Sequence, residues 1–511
     1  MMARIFDTAN LTRDTILSQD DNDWLYNGLD CCVTLEILNT LLPQLDSTSR
    51  KTYEFSKALQ APILEMSMRG ILIDEERRQS VLADYQRTML RLEQQLNEIL
   101  REGIGLDINW RSPKQLKDLL YGVMGLPPVR KRNAQGFMAP TANREALEKL
   151  SHYFIAEPIC AHMLGLRDLE KKRQFLVTAI DPDQRIRSNF NIAGTNTGRL
   201  ASSMSDFGTG GNLQNIDRDL RSVFIADKGM KFANLDLEQA DSRNLGALCW
   251  TNFYESHGAS WAGKYLDACE SGDLHTTVCR MARPALPWTD DPKANRAIAD
   301  QIAYRNMSFR DLDKRLGHGS NYLGQPATMA RHTKAPVSEI TTFQTNYFRN
   351  FACIPAYHEY VKFQLDNYAQ LTTLFGRRRF FFSRPNDPAT LREAVAYSPQ
   401  SMTADEIDTG ILNLWRSNRV QLLVQVHDSI LFQYPEELEN EIVPWALETL
   451  KAPLELIGGR RFVVPTEAKV GWNWGDKHDN NPDGLIKWKG GDTRKRSSQP
   501  TIGKKPSLKD Y

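Results

Sequence analysis

The chain has 511 residues, a quarter of them charged, with 64 Lys and Arg against 63 Asp and Glu and a net charge of +1. That length calls for several domains rather than one core. The near-neutral balance excludes a polycation, so any nucleic-acid binding must come from local basic surface. No run is long and apolar enough to span a bilayer, the start MMARIFDTANLTRD is not a signal peptide, and the seven cysteines form no CxxC pair. A cytoplasmic protein without a zinc site or a disulfide framework is expected.

Residues 22–43 read as a helix, with Val33, Leu35, Leu38 and Leu42 among its apolar positions. Residues 50–104 read as a long helical segment broken at Gly70, with Leu82, Tyr85, Leu90, Leu92, Leu96 and Ile99 at helical spacing. In INWRSPKQLKDLLYGVMG, Ser112 is placed as a helix N-cap and Pro113 as the first helical residue. VRKRNAQGFMAPTANRE predicts a basic, polar loop before another helix. From about residue 185 the texture changes to short strands and glycine-rich turns; helices return between about 262 and 370, and strands at RRRFFF and in the 420–470 region. The stretch after Asp476 is basic and too poor in apolar residues to form a core, so a disordered tail is expected. The order predicts a mixed, α+β layout in which a helical subdomain interrupts a central sheet.

Three segments carry the chemistry. LLVQVHDSILFQYP, Leu422–Pro435, sets a His-Asp pair between two apolar runs, where an acid is costly unless a cation or water meets it. KFANLDLEQADSR, Lys231–Arg243, ends another apolar run on Asp236. Carboxylates on two strands could share a pair of divalent ions, the arrangement that drives in-line phosphoryl displacement; each segment alone also fits a hairpin turn with Asp as turn former. In RDLDKRLGHGSNYLG, Arg310, Lys314, His318 and Tyr322 recur every four residues and span roughly 18 Å of one helix face. Cations one turn apart gain most when an anion lies across them, and a polyphosphate fits, with Arg gripping in bidentate fashion and Lys acting as a point charge. His318 and Tyr322 offer flat faces to a sugar or base. A solvated charged helix, with Asp311 pairing to Arg315, is the alternative; Gly319 and Gly324, read as points where a ligand or strand can approach closely, weigh against it.

Together these segments resemble family A DNA polymerases, the DNA polymerase I-like enzymes of bacteria and phages. DLEQADSR is similar to the first metal-binding motif, RDLDKRLGHGSNYLG to the fingers helix and QVHDS to the second metal-binding motif, in the family's order. TNTGRLASSMSDFGTGGNLQNID, REAVAYSPQSMTADEI, SGDLHTTV and NWRSPKQLKDLL extend the resemblance over most of residues 50–476. It implies a right-hand fold with an antiparallel palm sheet and helical fingers and thumb. The implied divisions are an exonuclease-like remnant over 1–49, thumb and palm entry over 50–185, palm over 186–261, fingers and return to the palm over 262–405, palm over 406–476, and the tail over 477–511. It implies a template-directed DNA polymerase, in phage replication, whose partners are primer–template DNA and deoxynucleoside triphosphates. Asp236 and Asp428 would hold two Mg²⁺ ions with the Leu237 carbonyl. Arg310 and Lys314 would grip the triphosphate, Lys314 serving catalysis and His275 assisting, while Tyr322 packs at the templating position. Arg199, Gln400 and His427 would touch the primer end or the minor groove, whose acceptors test pair geometry rather than sequence, and Arg392 a backbone phosphate.

The chain departs from the family pattern in several places. Asp241 stands where a Glu usually crowds the sugar 2′ position, so exclusion of ribonucleotides is expected to weaken unless Glu238 compensates. His318 replaces a usual Phe or Tyr and brings a hydrogen-bond donor to the nucleotide site. Ser429 replaces a Glu and Ala396 an Asn, neither of which should abolish activity. YNGLDCCVTLEIL resembles the last motif of 3′–5′ exonuclease domains, with Tyr26 and Asp30 in the matching places, but about fifty residues cannot hold that domain. The chain alone is expected to lack proofreading. This helix either props the thumb and palm or docks a separate exonuclease polypeptide, the chain being otherwise a monomer. A non-catalytic DNA-binding scaffold is the rival from another class.

Overall fold

A computed structural model of the chain describes residues 18–133, 135–492 and 494–496. Helix α1 (Gln19–Leu41) opens it, with the Ser18 hydroxyl accepting from the Asp21 amide as N-cap. None of its residues is buried: Trp24, Tyr26, Leu29, Val33, Leu35, Ile37, Leu38 and Leu41 all face solvent. Helix α2 (Ser47–Arg69) is capped by Asp46 and stops at Gly70, as expected. The reason is steric as well as conformational: Gly70 has φ 62°, and a Cβ there would fall 2.8 Å from the Ile186 carbonyl oxygen. The chain can then pass straight into Ile71–Ile73, which pairs antiparallel with both Arg185–Ile186 and Phe224–Ile225.

Helix α3 (Glu75–Ile104) runs along α4 (Glu157–Leu176). Their contact, with Trp110, Leu116, Leu120, Leu147 and Leu150, forms a core separate from the larger one. Of the expected positions on α3, Leu96 is buried and Leu82, Tyr85, Leu92 and Ile99 are half-buried against the two cores, with Met89 and Leu100 buried beside them; only Leu90 is exposed. Ser112 caps the next short helix through the Gln115 amide, with Pro113 at its first position. The basic loop expected beyond it is a hairpin, Arg130–Arg132 against Met138–Pro140. Those short strands bury nothing and so leave no alternation of apolar residues to detect.

The central sheet begins with β1 (Met230–Leu237), which leads into α5 (Ala240–His257). After α6 (Leu274–Ala282) and α7 (Phe309–Asn321), the helical insertion returns through α8 (Pro388–Arg416) to β2 (Gln421–Val426) and β3 (Ser429–Pro435). β4 (Thr466–Gly471) and β5 (Ile486–Lys487) complete it. The order is β2-β3-β1-β4-β5, antiparallel throughout. Helix α8 packs along α5 and touches β2 and β3. Phe232, Leu235, Val424, Ile430, Phe432 and Val470 from the sheet join Ile407 and Ile411 of α8 in the larger core.

The expected tail needs correction over 477–496. Asn481 and Leu485 are buried, β5 pairs with β4, and the Arg494 guanidinium donates to the carbonyls of Pro482 (2.7 Å) and Gly484 (2.9 Å). Polar composition misled because hydrogen bonds and buried ion pairs hold this segment in place of apolar burial. Residues 497–511, the rest of the expected tail, lie outside the described residues.

Candidate active site

The sheet brings Asp236 and Asp428 together. In the β1–β3 register Ser429 stands opposite Asp236, and the β2–β3 hairpin turns on His427 and Asp428. His427 is exposed and takes φ 56°, a conformation uncommon outside glycine. The Leu237 amide donates to the Asp428 carbonyl at 3.0 Å, which ties the end of β1 to that turn. The two carboxylates line a recess of about 220 Å³ with His427, Arg218, Glu467 and Lys469. Burial, then the charges of Asp428 and Glu467, push the Asp236 pKa up to about 7, against the pull of Lys469 and Arg218. Asp428 is raised as well, first by burial and then by Asp241.

A pair of carboxylates that resists full ionisation is a site lacking positive charge. Its donors are hard oxygens, which suit Mg²⁺, an ion that takes one or two carboxylates and fills its shell with water and phosphate oxygens. The residues present therefore fit the metal, with the Leu237 carbonyl next along the strand. Among the described residues no group of three or more His, Cys, Asp or Glu could hold an ion by itself, so any ion here depends on water or a ligand to complete its shell.

Helix α7 is capped by the Ser308 hydroxyl, which accepts from the Asp311 amide. It buries Leu312, Asp313 and Leu316 and turns Lys314 and His318 outward. Asp313 is engaged in a two-bond ion pair with Arg283, both bonds at 2.8 Å. Arg310 donates to Asp273 at 3.0 Å, whereas Lys314 forms no ion pair among the described residues. Burial opposes the charge on Asp273, but bonds from Thr276 and Arg310 hold its pKa down to about 2. His275 on α6 is pushed down to about 4 by burial and then by Lys314 and Arg310, so it is neutral at pH 7 and faces both cations. The His318 and Tyr322 rings meet edge to face, 5.0 Å apart. The close approach expected at the two glycines is made by the protein itself: a Cβ at Gly319 would strike the Met329 sulfur at 2.5 Å, and one at Gly324 the Gly319 carbonyl at 2.7 Å. They let α7 close its C-terminus on itself and on Met329.

Asp241, in the first turn of α5, joins the acidic pair to the cationic helix. Its Oδ1 accepts from the Thr403 hydroxyl (2.9 Å) and from Arg199 (3.4 Å). Thr403 in turn accepts from the Asn244 amide, which also donates to the buried Glu406. After burial, the Asp241 charge is what raises Asp428 on one side and Tyr322 on the other, and it opposes the desolvation that lowers His318. Glu238 instead lies within electrostatic reach of Lys487 on β5. Gln400 and Arg392 lie on α8 and hydrogen bond to none of these groups.

Thr403, Arg218, Glu467 and Lys469 were not expected from sequence. TEAKVG does alternate, Glu467 and Lys469 against buried Ala468 and Val470, but nothing local says that this strand lies beside β1 and sets Glu467 opposite Asp236.

The fold is that of a polymerase domain. The POL domain of Pol1 from M. smegmatis, solved in complex with DNA primer-template and dNTP, matches with a TM-score of 0.64 at 23% identity over 82% of this chain and 69% of that one. The chain belongs to DNA polymerase family A, whose family model matches residues 75–257 and 293–476. It is 27% identical over 497 residues to DNA polymerase I of Synechocystis sp., covering 88% of this chain and 45% of that protein. Against the thermostable DNA polymerase I of Thermus thermophilus it is 25% identical, covering 92% and 54%. The chain thus spans about half the length of the curated relatives it matches.

Proposed function

We propose that the chain is a template-directed DNA polymerase that adds deoxynucleoside triphosphates to a primer 3′ end. The observation that carries this reading is the meeting of Asp236 and Asp428 at one end of the sheet, with Asp241 linking them electrostatically to the α7 side chains. Asp236, Asp428 and the Leu237 carbonyl would hold two Mg²⁺ ions, which would supply a lowered pKa for the primer hydroxyl and neutralisation of charge on departing pyrophosphate. Arg310, tethered by Asp273, and the unpaired Lys314 hold the triphosphate, with neutral His275 as a hydrogen-bond partner between them. Tyr322 fills the templating position. Arg199, Gln400 and His427 meet the primer end and minor groove, and Arg392 a phosphate. A DNA-binding scaffold would gain nothing from paired acids beside phosphates, which weaken its affinity.

Tyr26 and Asp30 lie on the exposed α1. That open surface fits the docking of a separate exonuclease polypeptide, encoded with the chain in a phage, as the candidate partner. No described helix is long and apolar enough to cross a membrane, and action in the host cytoplasm completes the reading. Extension of a primer by the purified chain with Mg²⁺ and four deoxynucleotides tests the activity; its absence, even with the neighbouring gene products added, overturns it.

Two site residues set selectivity. Asp241 is one methylene shorter than Glu, a difference worth about tenfold in a steric contact. Asp241→Glu therefore raises deoxy- over ribonucleotide preference about tenfold in single-turnover incorporation, and equal rejection by both proteins refutes the gate. His318 keeps an N–H donor when neutral, and one hydrogen bond is worth about tenfold. His318→Phe therefore lowers discrimination against dideoxynucleotides by that factor, read as the ratio of kcat/KM values; an unchanged ratio makes His318 a packing residue only.

A further inference from the structure

The hairpin that precedes α8 carries unusually exposed aromatic surface. Its strands, Gln370–Thr372 and Arg378–Phe380, pair Gln370 with Phe380, and the Phe381 amide continues the ladder by donating to the Ala369 carbonyl at 2.7 Å. Alternation puts Arg379 and Phe381 on the inner face. There Arg379 lies 4.4 Å from the Phe381 ring and pairs with Glu393. Phe380 and Phe382 fall on the outer face, and Phe382 is 97% exposed. Tyr368 and Phe363, also exposed, add two rings 6.3 Å apart. All the large exposed apolar residues of this stretch are aromatic, with no aliphatic among them.

Charge and position narrow what could cover this surface. Residues 362–393 hold six basic against three acidic side chains. Lys362, Arg384 and Arg392 form no ion pair among the described residues. Of the acids, Asp387 caps α8, Glu393 is taken by Arg379, and only Asp366 is unpaired. The strip also starts at the nucleotide site. The Arg377 guanidinium lies 2.6 Å from where a Cβ of Gly198 would be, next to Arg199, which bonds Asp241. Five extended residues lead from Arg377 to Phe382, roughly 16 Å.

We propose that this strip, Phe363, Tyr368, Phe380 and Phe382 with Arg384, is a stacking platform for unpaired template bases. It rests on the polymerase reading. Aromatic faces flanked by unpaired cations suit single-stranded DNA, whose bases all present a stacking face and whose phosphates seek positive charge. A protein interface also gathers aromatic residues and Arg but is depleted in Lys, so the unpaired Lys362 beside these rings and the strip's position next to the nucleotide site are what favour a single strand.

Fluorescence anisotropy tests it with primer–templates whose template overhang is one or ten nucleotides. Wild type binds the long overhang about tenfold more tightly than the short one, the size expected of a stacked base or two, and an abasic overhang removes that advantage. Phe380→Ala/Phe382→Ala abolishes the advantage and Phe382→Trp keeps it, each protein's short-overhang affinity being its own reference. Both residues are exposed, so neither change opens the core. An undiminished advantage in the double variant overturns the proposal and leaves the strip to a protein partner. Failure of wild type to bind either primer–template overturns the polymerase reading instead.

Discussion

Asp428→Ala lowers the rate of primer extension by about 10³-fold or more, because it removes half of the carboxylate pair that would anchor the reacting centre. Duplex binding, measured by anisotropy, stays equal or tightens, since a negative charge beside phosphates has been lost. A variant that still extends primers at near wild-type rate would remove Asp428 from the chemistry. The proton on Asp236 adds a pH signature. With its pKa near 7, Mg²⁺ must displace that proton at lower pH, so affinity measured by calorimetry falls between pH 8 and pH 6. The stability sign follows from the same shift. A carboxyl whose pKa is raised on folding binds more protons folded than unfolded between about 4 and 7, so the metal-free protein loses stability as pH rises through that window. Added Mg²⁺ therefore raises Tm more at pH 8 than at pH 6.

Lys231→Ala lowers stability by about 3–5 kcal/mol, the usual result of stranding buried charge. Lys231 is 2% exposed, donates to Glu439 at 2.6 Å and to Asp492 at 2.9 Å, and lies 4.3 Å from the Trp472 ring. Without it Glu439 keeps no ion pair among the described residues, while Asp492 retains Arg494. Urea unfolding followed by tryptophan fluorescence reads the loss, and an unchanged midpoint would show that the triad contributes nothing. Adding Glu439→Gln to Lys231→Ala recovers part of the loss by removing the stranded charge, whereas Asp492 keeps its bonds from Arg494. Burial opposes ionisation of Asp492, but Arg494 and Lys231 bring its pKa down to about 2. Its contribution is thus full above the unfolded value near 4 and disappears as pH falls through about 2.

How far the sequence disclosed all this depended on how local the information was. The Asp236 and Asp428 turns end apolar runs that are visible in one dimension, and the four-residue spacing of Arg310, Lys314, His318 and Tyr322 is a local property of one helix and its C-terminus. Gly70 could be read as a break because one residue's backbone decides it. The placement of Glu467 opposite Asp236 depends on a strand pairing across more than 200 residues of chain, and the Thr403 bond to Asp241 on how α8 lies against α5. Gly319 and Gly324 were visible but their use was not, since Met329 approaches from the following helix.

The segment that packs Asp492 against Lys231 also matters to anyone shortening this protein. Ending the chain at 476, which its polar composition invites, would do more than trim. It would strip β5 from the sheet and leave β4 with a row of bare amides and carbonyls, a ready template for joining another molecule. Such a product should clump during purification, whereas an affinity handle placed beyond Arg496 leaves that border sealed.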